Sequence, residues 1–199
     1  MESLNNLIEE RITSNQGEIF SIHDFYDLGK KNTIKSILYR LHENKKIVRL
    51  VDGLYTAPKY SNILKEFSYP TATDVAYKIA EKFSWTITPA GVVALNIIGL
   101  STQVPNEYVF VSDGPYREYI YQNRNIIFKH TTNRNISNLP YELAILIQAI
   151  KALGQYNIKD SDIEKLSVFR KKIKGDISKS ILKLPFWIQE ILKRIDVTD

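Results

Sequence analysis

Residues 29–58 read GKKNTIKSILYRLHENKKIVRLVDGLYTAP, and two different periods meet in that stretch. Ile34, Ile37, Leu38 and Leu41 recur at i, i+3, i+4 and i+7, which sets four apolar side chains on one face of a helix over about Asn32–Asn44. The opposite face carries Lys31, Lys35, Ser36, Tyr39 and Arg40, a mix of cations and hydrogen-bond donors. Directly after it, IVRLVDGLYTA places two β-rich runs on either side of Asp52–Gly53, a dipeptide that accommodates the backbone of a tight hairpin. A helix with a basic outer face, followed at once by a two-stranded ribbon, is suited to laying that helix in the major groove of a duplex.

Upstream, Ser3–Thr13 has a stripe of Leu4, Leu7, Ile8 and Ile12 and predicts a first helix. Glu18–Phe20 reads as a short extended piece. Ser21 is a good N-cap for a short second helix that holds Ile22, Phe25 and Tyr26, and Gly29 supplies the turn after it. Helix, short strand, helix, turn, helix and hairpin within about 60 residues is the order of a winged helix-turn-helix. Residues 1–60 are therefore expected to form that domain.

Downstream, Pro58–Pro70 is polar and bounded by prolines, so residues 61–70 are expected to be a linker, with Ile63, Leu64 and Phe67 packed on something. Residues 71–199 are expected to form a second domain. It would open with a helix over Thr73–Phe83, capped by Thr73 or Asp74 and striped by Val75, Ile79 and Phe83. A strand over Ser84–Thr88 and a helix over Ala90–Ile98, opened by Pro89 and ended by Gly99, come next. Strands follow at Glu107–Ser112, Arg117–Gln122 and Asn125–Lys129, with a turn at Asn123–Arg124. Tyr141–Leu153 is a strongly apolar helix ended by Gly154. Another starts at Asp160 or Ser161, where Ser161 and Glu164 fit a capping box, and Ile177–Lys183 and Pro185–Ile195 complete a helical C-terminus with Trp187 as an anchor. The expected class is α+β: an N-terminal winged helix-turn-helix, then a mixed domain with a small sheet and terminal helices.

The net charge of the 199 residues is only +5, so the placement of charge matters more than its total. Lys30–Arg49 holds seven Lys or Arg (30, 31, 35, 40, 45, 46, 49) against one acid, Glu43. Lys165–Lys183 holds another seven (165, 170, 171, 172, 174, 179, 183) against Asp176. Two separate basic segments point to a polyanionic partner. There is no cysteine, which excludes disulfides, thiolate metal sites and thiol nucleophiles. The opening MESLNNLIEERI is acidic and amphipathic, unlike a signal peptide, and no apolar run reaches membrane-spanning length. A soluble cytoplasmic protein is expected.

The candidate DNA-facing residues are Lys31, Asn32, Thr33, Lys35, Ser36, Tyr39 and Arg40, with Lys30, Lys45, Lys46 and Arg49 positioned for the phosphate backbone. Lys165, Arg170, Lys171, Lys172, Lys174 and Lys179 form a second candidate surface for nucleic acid or a partner; the competing reading is a solubilising face. His23, His42 and His130 are scattered, with no metal-ligand spacing. No phosphate-binding Gly-rich loop, GxSxG or HExxH occurs. Asp113, Glu118 and Lys129 could be imagined as a nuclease-like cluster but fit turn and sheet-surface roles better. Tyr108, Phe110, Tyr116, Tyr119 and Tyr121 crowd around Asp113, part core and part exposed. No enzyme, cofactor or metal is expected.

Several segments are similar to one known family. They are Leu38-Tyr39-Arg40-Leu41, Ile47-Val48-Arg49 and Asp52-Gly53-Leu54-Tyr55 in the first part. In the second they are Trp85-Thr86-Ile87-Thr88-Pro89-Ala90-Gly91, Ala94-Leu95-Asn96, Gly99-Leu100-Ser101-Thr102-Gln103-Val104-Pro105 and Phe128-Lys129-His130. On these residues the chain resembles the AbiEi-like antitoxins of type IV toxin–antitoxin systems, over roughly residues 1–150. The resemblance implies an antitoxin that binds inverted repeats in its own promoter as an autorepressor and counteracts a nucleotidyltransferase-like toxin, with no stable complex required. Two alternatives stand beside it. One is a stand-alone winged-helix regulator with a ligand-sensing or dimerising C-terminal domain. The other is an antitoxin that masks its toxin by direct binding.

Overall fold

Helix α1 (Leu4–Thr13) begins where Ser3 accepts a hydrogen bond from the Asn6 amide, and it buries Ile8 and Ile12. The computed structural model describes residues 3–132 and 136–197. After α1 come strand β1 (Phe20–Ser21), a single 3₁₀ turn (Ile22–Phe25), helix α2 (Lys31–Glu43) and strands β2 (Val48–Val51) and β3 (Leu54–Thr56). The expected short second helix is only that 3₁₀ turn. Its cap is nevertheless Ser21, whose amide and hydroxyl both meet the Asp24 carboxylate. The three strands form one antiparallel sheet in the order β1-β3-β2.

The segment expected to be a linker is a hairpin. Strands β4 (Lys59–Ser61) and β5 (Glu66–Ser68) pair antiparallel; Ile63 and Leu64 are exposed, and Phe67, also exposed, lies edge-on to the Tyr60 ring. Ser61 organises the turn: its hydroxyl accepts from the Leu64 amide and its carbonyl from the Lys65 amide, with Lys65 in the left-handed region. Such local bonds give a polar loop a defined shape that composition does not reveal.

Helix α3 (Ala72–Phe83) follows, capped by Thr71 and not by Thr73, with a reciprocal bond from the Thr71 amide to Asp74. Phe83 is exposed and leaves the expected stripe; Ala72, Val75, Ala76, Ile79 and Ala80 are the buried face. The chain separates into two compact units, and the division falls at Ser84/Trp85 instead of within residues 61–70. The first unit is residues 1–84 with Tyr119–Asn123; the second is residues 85–118 with 124–199. Helix α3 belongs to the first because its long polar residues reach back into it. Lys78 bridges Asp24 and Glu81, and Lys82 donates to the Asp52 carbonyl. The core of this unit gathers Ile8, Ile12, Phe25, Ile34, Ile37, Leu38, Leu41 and Ile47.

In the second unit, β6 (Ile87–Pro89) pairs antiparallel with β7 (Glu107–Ser112), and β7 pairs parallel with β9 (Arg124–His130). Strand β8 (Arg117–Tyr121) begins in this unit and ends in the first. Pro89 closes β6, and helix α4 (Gly91–Ile98) starts two residues later, not at Pro89. The turn after β8 is Gln122–Asn123, both at positive φ, one residue earlier than the composition suggests. Helix α5 (Tyr141–Leu153) buries every residue from Leu143 to Ile150. Helices α6 (Asp160–Arg170), α7 (Ser178–Ile181) and α8 (Phe186–Val197) close the second core, with Trp187 packed against it. The amide that opens α6 is Lys159, donating to Asp162, in place of the expected Ser161–Glu164 pair. The fold is α+β, with small sheets and a helical C-terminus.

Candidate nucleic-acid interface

Four side chains fasten α2. Ile34, Ile37, Leu38 and Leu41 are each 2% exposed or less. Burying four such groups is worth roughly 6–12 kcal/mol as an upper figure, enough to define the rotation of the helix about its axis. That rotation turns the other side outward. Lys31, Asn32, Thr33, Lys35, Ser36, Tyr39 and Arg40 are all exposed, Tyr39 at 58%. Few internal bonds engage them: the Ser36 hydroxyl donates to the Asn32 carbonyl, and Arg40 Nε makes a long 3.4 Å contact to the Ser36 carbonyl.

The start of α2 has no side-chain cap and no acid in its first turn, and Lys30 occupies the capping position. Unpaired amides and the positive end of the helix dipole therefore face outward there, an arrangement that favours an anion. At its other end the chain turns through Lys45 at φ +59, with the Lys45 amide bonded to the His42 carbonyl and the Lys46 amide to that of Leu41. That is the Schellman pattern with lysine where glycine is usual. It presents Lys45 and Lys46 one after the other at the helix end.

Two of the candidate cations are engaged within the protein. Lys46 Nζ lies 2.6 Å from a Glu9 carboxylate oxygen and ties α2 to α1. Arg49 pairs with Asp52 across the β2–β3 turn. The ribbon is irregular, with a register shift between Arg49 and Val51, and only Gly53 of its turn adopts a left-handed conformation. Behind the turn stands Lys82, which sequence reasoning passed over. Burial lowers its pKa, its ammonium donates 3.0 Å to the Asp52 carbonyl, and it lies over the Phe83 ring. It braces the ribbon tip from within the unit. A lone lysine on a helix has no local signal for such a role, because its partner lies 30 residues away.

The second basic run is less available than its composition implies. Lys165 donates to the Gly99 carbonyl at 3.1 Å, and Arg170 Nε sits 3.0 Å from Asp196, half-buried. Lys172 lies over the Phe169 ring. Lys171, Lys174 and Lys179 are exposed.

The remaining candidates have structural partners. His42 Nδ1 is 3.4 Å from the Ile47 carbonyl, His130 Nδ1 is 2.8 Å from that of Gly114, and His23 packs edge-on to Tyr26. Asp113 accepts from the Thr86 amide and the Ser137 hydroxyl, and Glu118 accepts from the Tyr116 hydroxyl. Lys129 is exposed on β9. Among the described residues no group of three or more His, Asp or Glu is placed to hold a metal ion, and no helix is long and apolar enough to cross a membrane.

A family model described as a family of unknown function (DUF6088) matches residues 7–177, from within α1 to the residue before α7. The chain belongs to this family. No curated protein matches it. The matched residues take in both the exposed face of α2 and most of the second unit.

Proposed function

We propose that this DUF6088 protein is a DNA-binding autorepressor that also serves as the antitoxin of a toxin–antitoxin pair in the cytoplasm. In this reading the first unit acts as a winged helix-turn-helix. Helix α2 enters the major groove with Asn32, Lys35, Ser36 and Tyr39 toward base edges, and Lys30, Lys31, Lys45 and Arg40 hold phosphates. The β2–β3 ribbon lies against the neighbouring backbone. The second unit supplies toxin neutralisation, which rests on the resemblance to AbiEi-like antitoxins carried by Ala94-Leu95-Asn96 and Gly99–Pro105.

One observation carries the DNA reading: the polar side of α2 is exposed along its length while the apolar side is sealed. A cationic helix buried on its charged side could not reach a duplex; this one can.

The test pairs two assays. A labelled duplex spanning the upstream region of the chain's own gene should bind with an affinity that falls steeply with salt, and an unrelated duplex should bind more weakly. A nucleotidyltransferase-like gene is expected beside the chain's own, and co-expression of the two should restore growth. Equal affinity for both duplexes would remove the autorepressor role. Unrelieved toxicity would remove the antitoxin role.

A further inference from the structure

The β4–β5 hairpin has features that neither unit's core explains. A two-stranded hairpin in water is marginal unless another element covers a face. Here the covering is missing: Ile63 is 93% exposed, Leu64 68% and Phe67 57%, and all three residues of β5 are exposed. The register sets Tyr60 opposite Phe67, ring against ring at 5.2 Å, on one face; Lys59, Ser61, Glu66 and Ser68 share the other. Among the described residues, neither outer edge of the ribbon has a strand partner. An apolar patch on an unpaired strand edge is a template for a further strand.

We propose that this edge is completed by a second copy of the chain, β5 pairing antiparallel with its own two-fold mate about Phe67. The pattern is self-complementary in three respects. First, a two-fold axis at Phe67 sets that ring against the second copy's Phe67, so Tyr60, Phe67 and their mates form one continuous row of four rings. Second, the other face then reads Ser61, Glu66, then the second copy's Ser68 and Lys59. Each carboxylate meets an ammonium across a small serine, and the row has no net charge. Third, Leu64 comes beside the second copy's Pro70 and Tyr69, which covers the apolar tip. Closed two-fold pairing of one patch with itself is the commonest form of assembly in soluble proteins. It requires nothing of the DNA-binding reading and holds or fails separately from it.

The test uses the full chain, whose lack of cysteine makes it clean. Phe67→Cys places a single thiol on the proposed axis, where directly opposed residues are close enough for a disulfide. Mild oxidation should convert it to a covalent dimer, while Tyr116→Cys, exposed on the second unit, should form no covalent dimer. Sedimentation of the unmodified chain should show a concentration-dependent dimer with a Kd in the micromolar range, because a ribbon contact is small. Phe67→Glu, which opposes two carboxylates on the axis, should raise that Kd at least about tenfold with the far-ultraviolet dichroism unchanged. A chain that sediments as a monomer at about 100 μM overturns the proposal. So does a dimer that Phe67→Glu leaves intact, or a hairpin protected from hydrogen exchange only when duplex DNA or another protein is added.

Discussion

Replacing both Lys35 and Arg40 with alanine is the most direct challenge to the DNA reading. Both side chains are exposed on the outer face of α2, and neither forms an ion pair within the described residues. Alanine is a better helix former than either, so α2 should persist. If each cation neutralises one phosphate, the pair contributes about 1.8 to the slope of log affinity against log salt. At 0.1 M salt that corresponds to roughly a 60-fold loss of affinity relative to the unsubstituted chain. The assay is fluorescence anisotropy with the upstream duplex at several salt concentrations, beside a thermal melt. The expected result is weaker binding, a slope shallower by about 2 and an unchanged melting midpoint. Unchanged affinity and slope would show that α2 does not face the duplex.

Other substitutions separate folding from binding. Lys46→Ala removes the tether to Glu9 and should cost about 1 kcal/mol or less in urea unfolding, with a smaller effect on the salt slope than Lys35 or Arg40. Gly114→Ala would bring a methyl group 2.4 Å from the Trp85 ring and should destabilise the second unit by about 1–3 kcal/mol or more, read from the urea midpoint. Tyr121 donates to the Pro70 carbonyl, and burial pushes its pKa up from 10.0 to about 12. The folded state thus keeps a proton that the unfolded chain releases. The associated stability is fully present below pH 10.0 and is lost as pH rises toward about 12. Tyr121→Phe should flatten that alkaline decline in pH-dependent unfolding.

The elements most legible in the sequence were those whose periodic face ends at a clear stop. Helix α5 runs from Tyr141 to Leu153 as expected, between Pro140 and Gly154, and β7 occupies Glu107–Ser112. The alternation of buried and exposed positions in α2 followed from its helical period, and so did the exposure of Lys31, Asn32, Thr33, Lys35, Ser36, Tyr39 and Arg40 on it. What was hidden depended on partners distant along the chain. Helix α3 reads as the start of a new domain until Lys78 meets Asp24 and Lys82 meets the Asp52 carbonyl, 54 and 30 residues away. The β4–β5 hairpin was concealed by strands of three residues, too short to display alternation. Arg170 looked like a free cation because Asp196 follows it by a whole helix.

Helix α5 buries eight consecutive residues, Leu143 to Ile150, so apolar side chains point from it in every direction. Its neighbours include α6 and α8, which are translated later. During synthesis this greasy rod therefore leaves the ribosome before its cover exists, and for those seconds it is the part of the nascent polypeptide most prone to be captured by a chaperone or to coalesce with another. A premature stop anywhere between Gly154 and α8 would make that interval permanent, so such products should be insoluble or rapidly degraded even though the first eighty residues are intact.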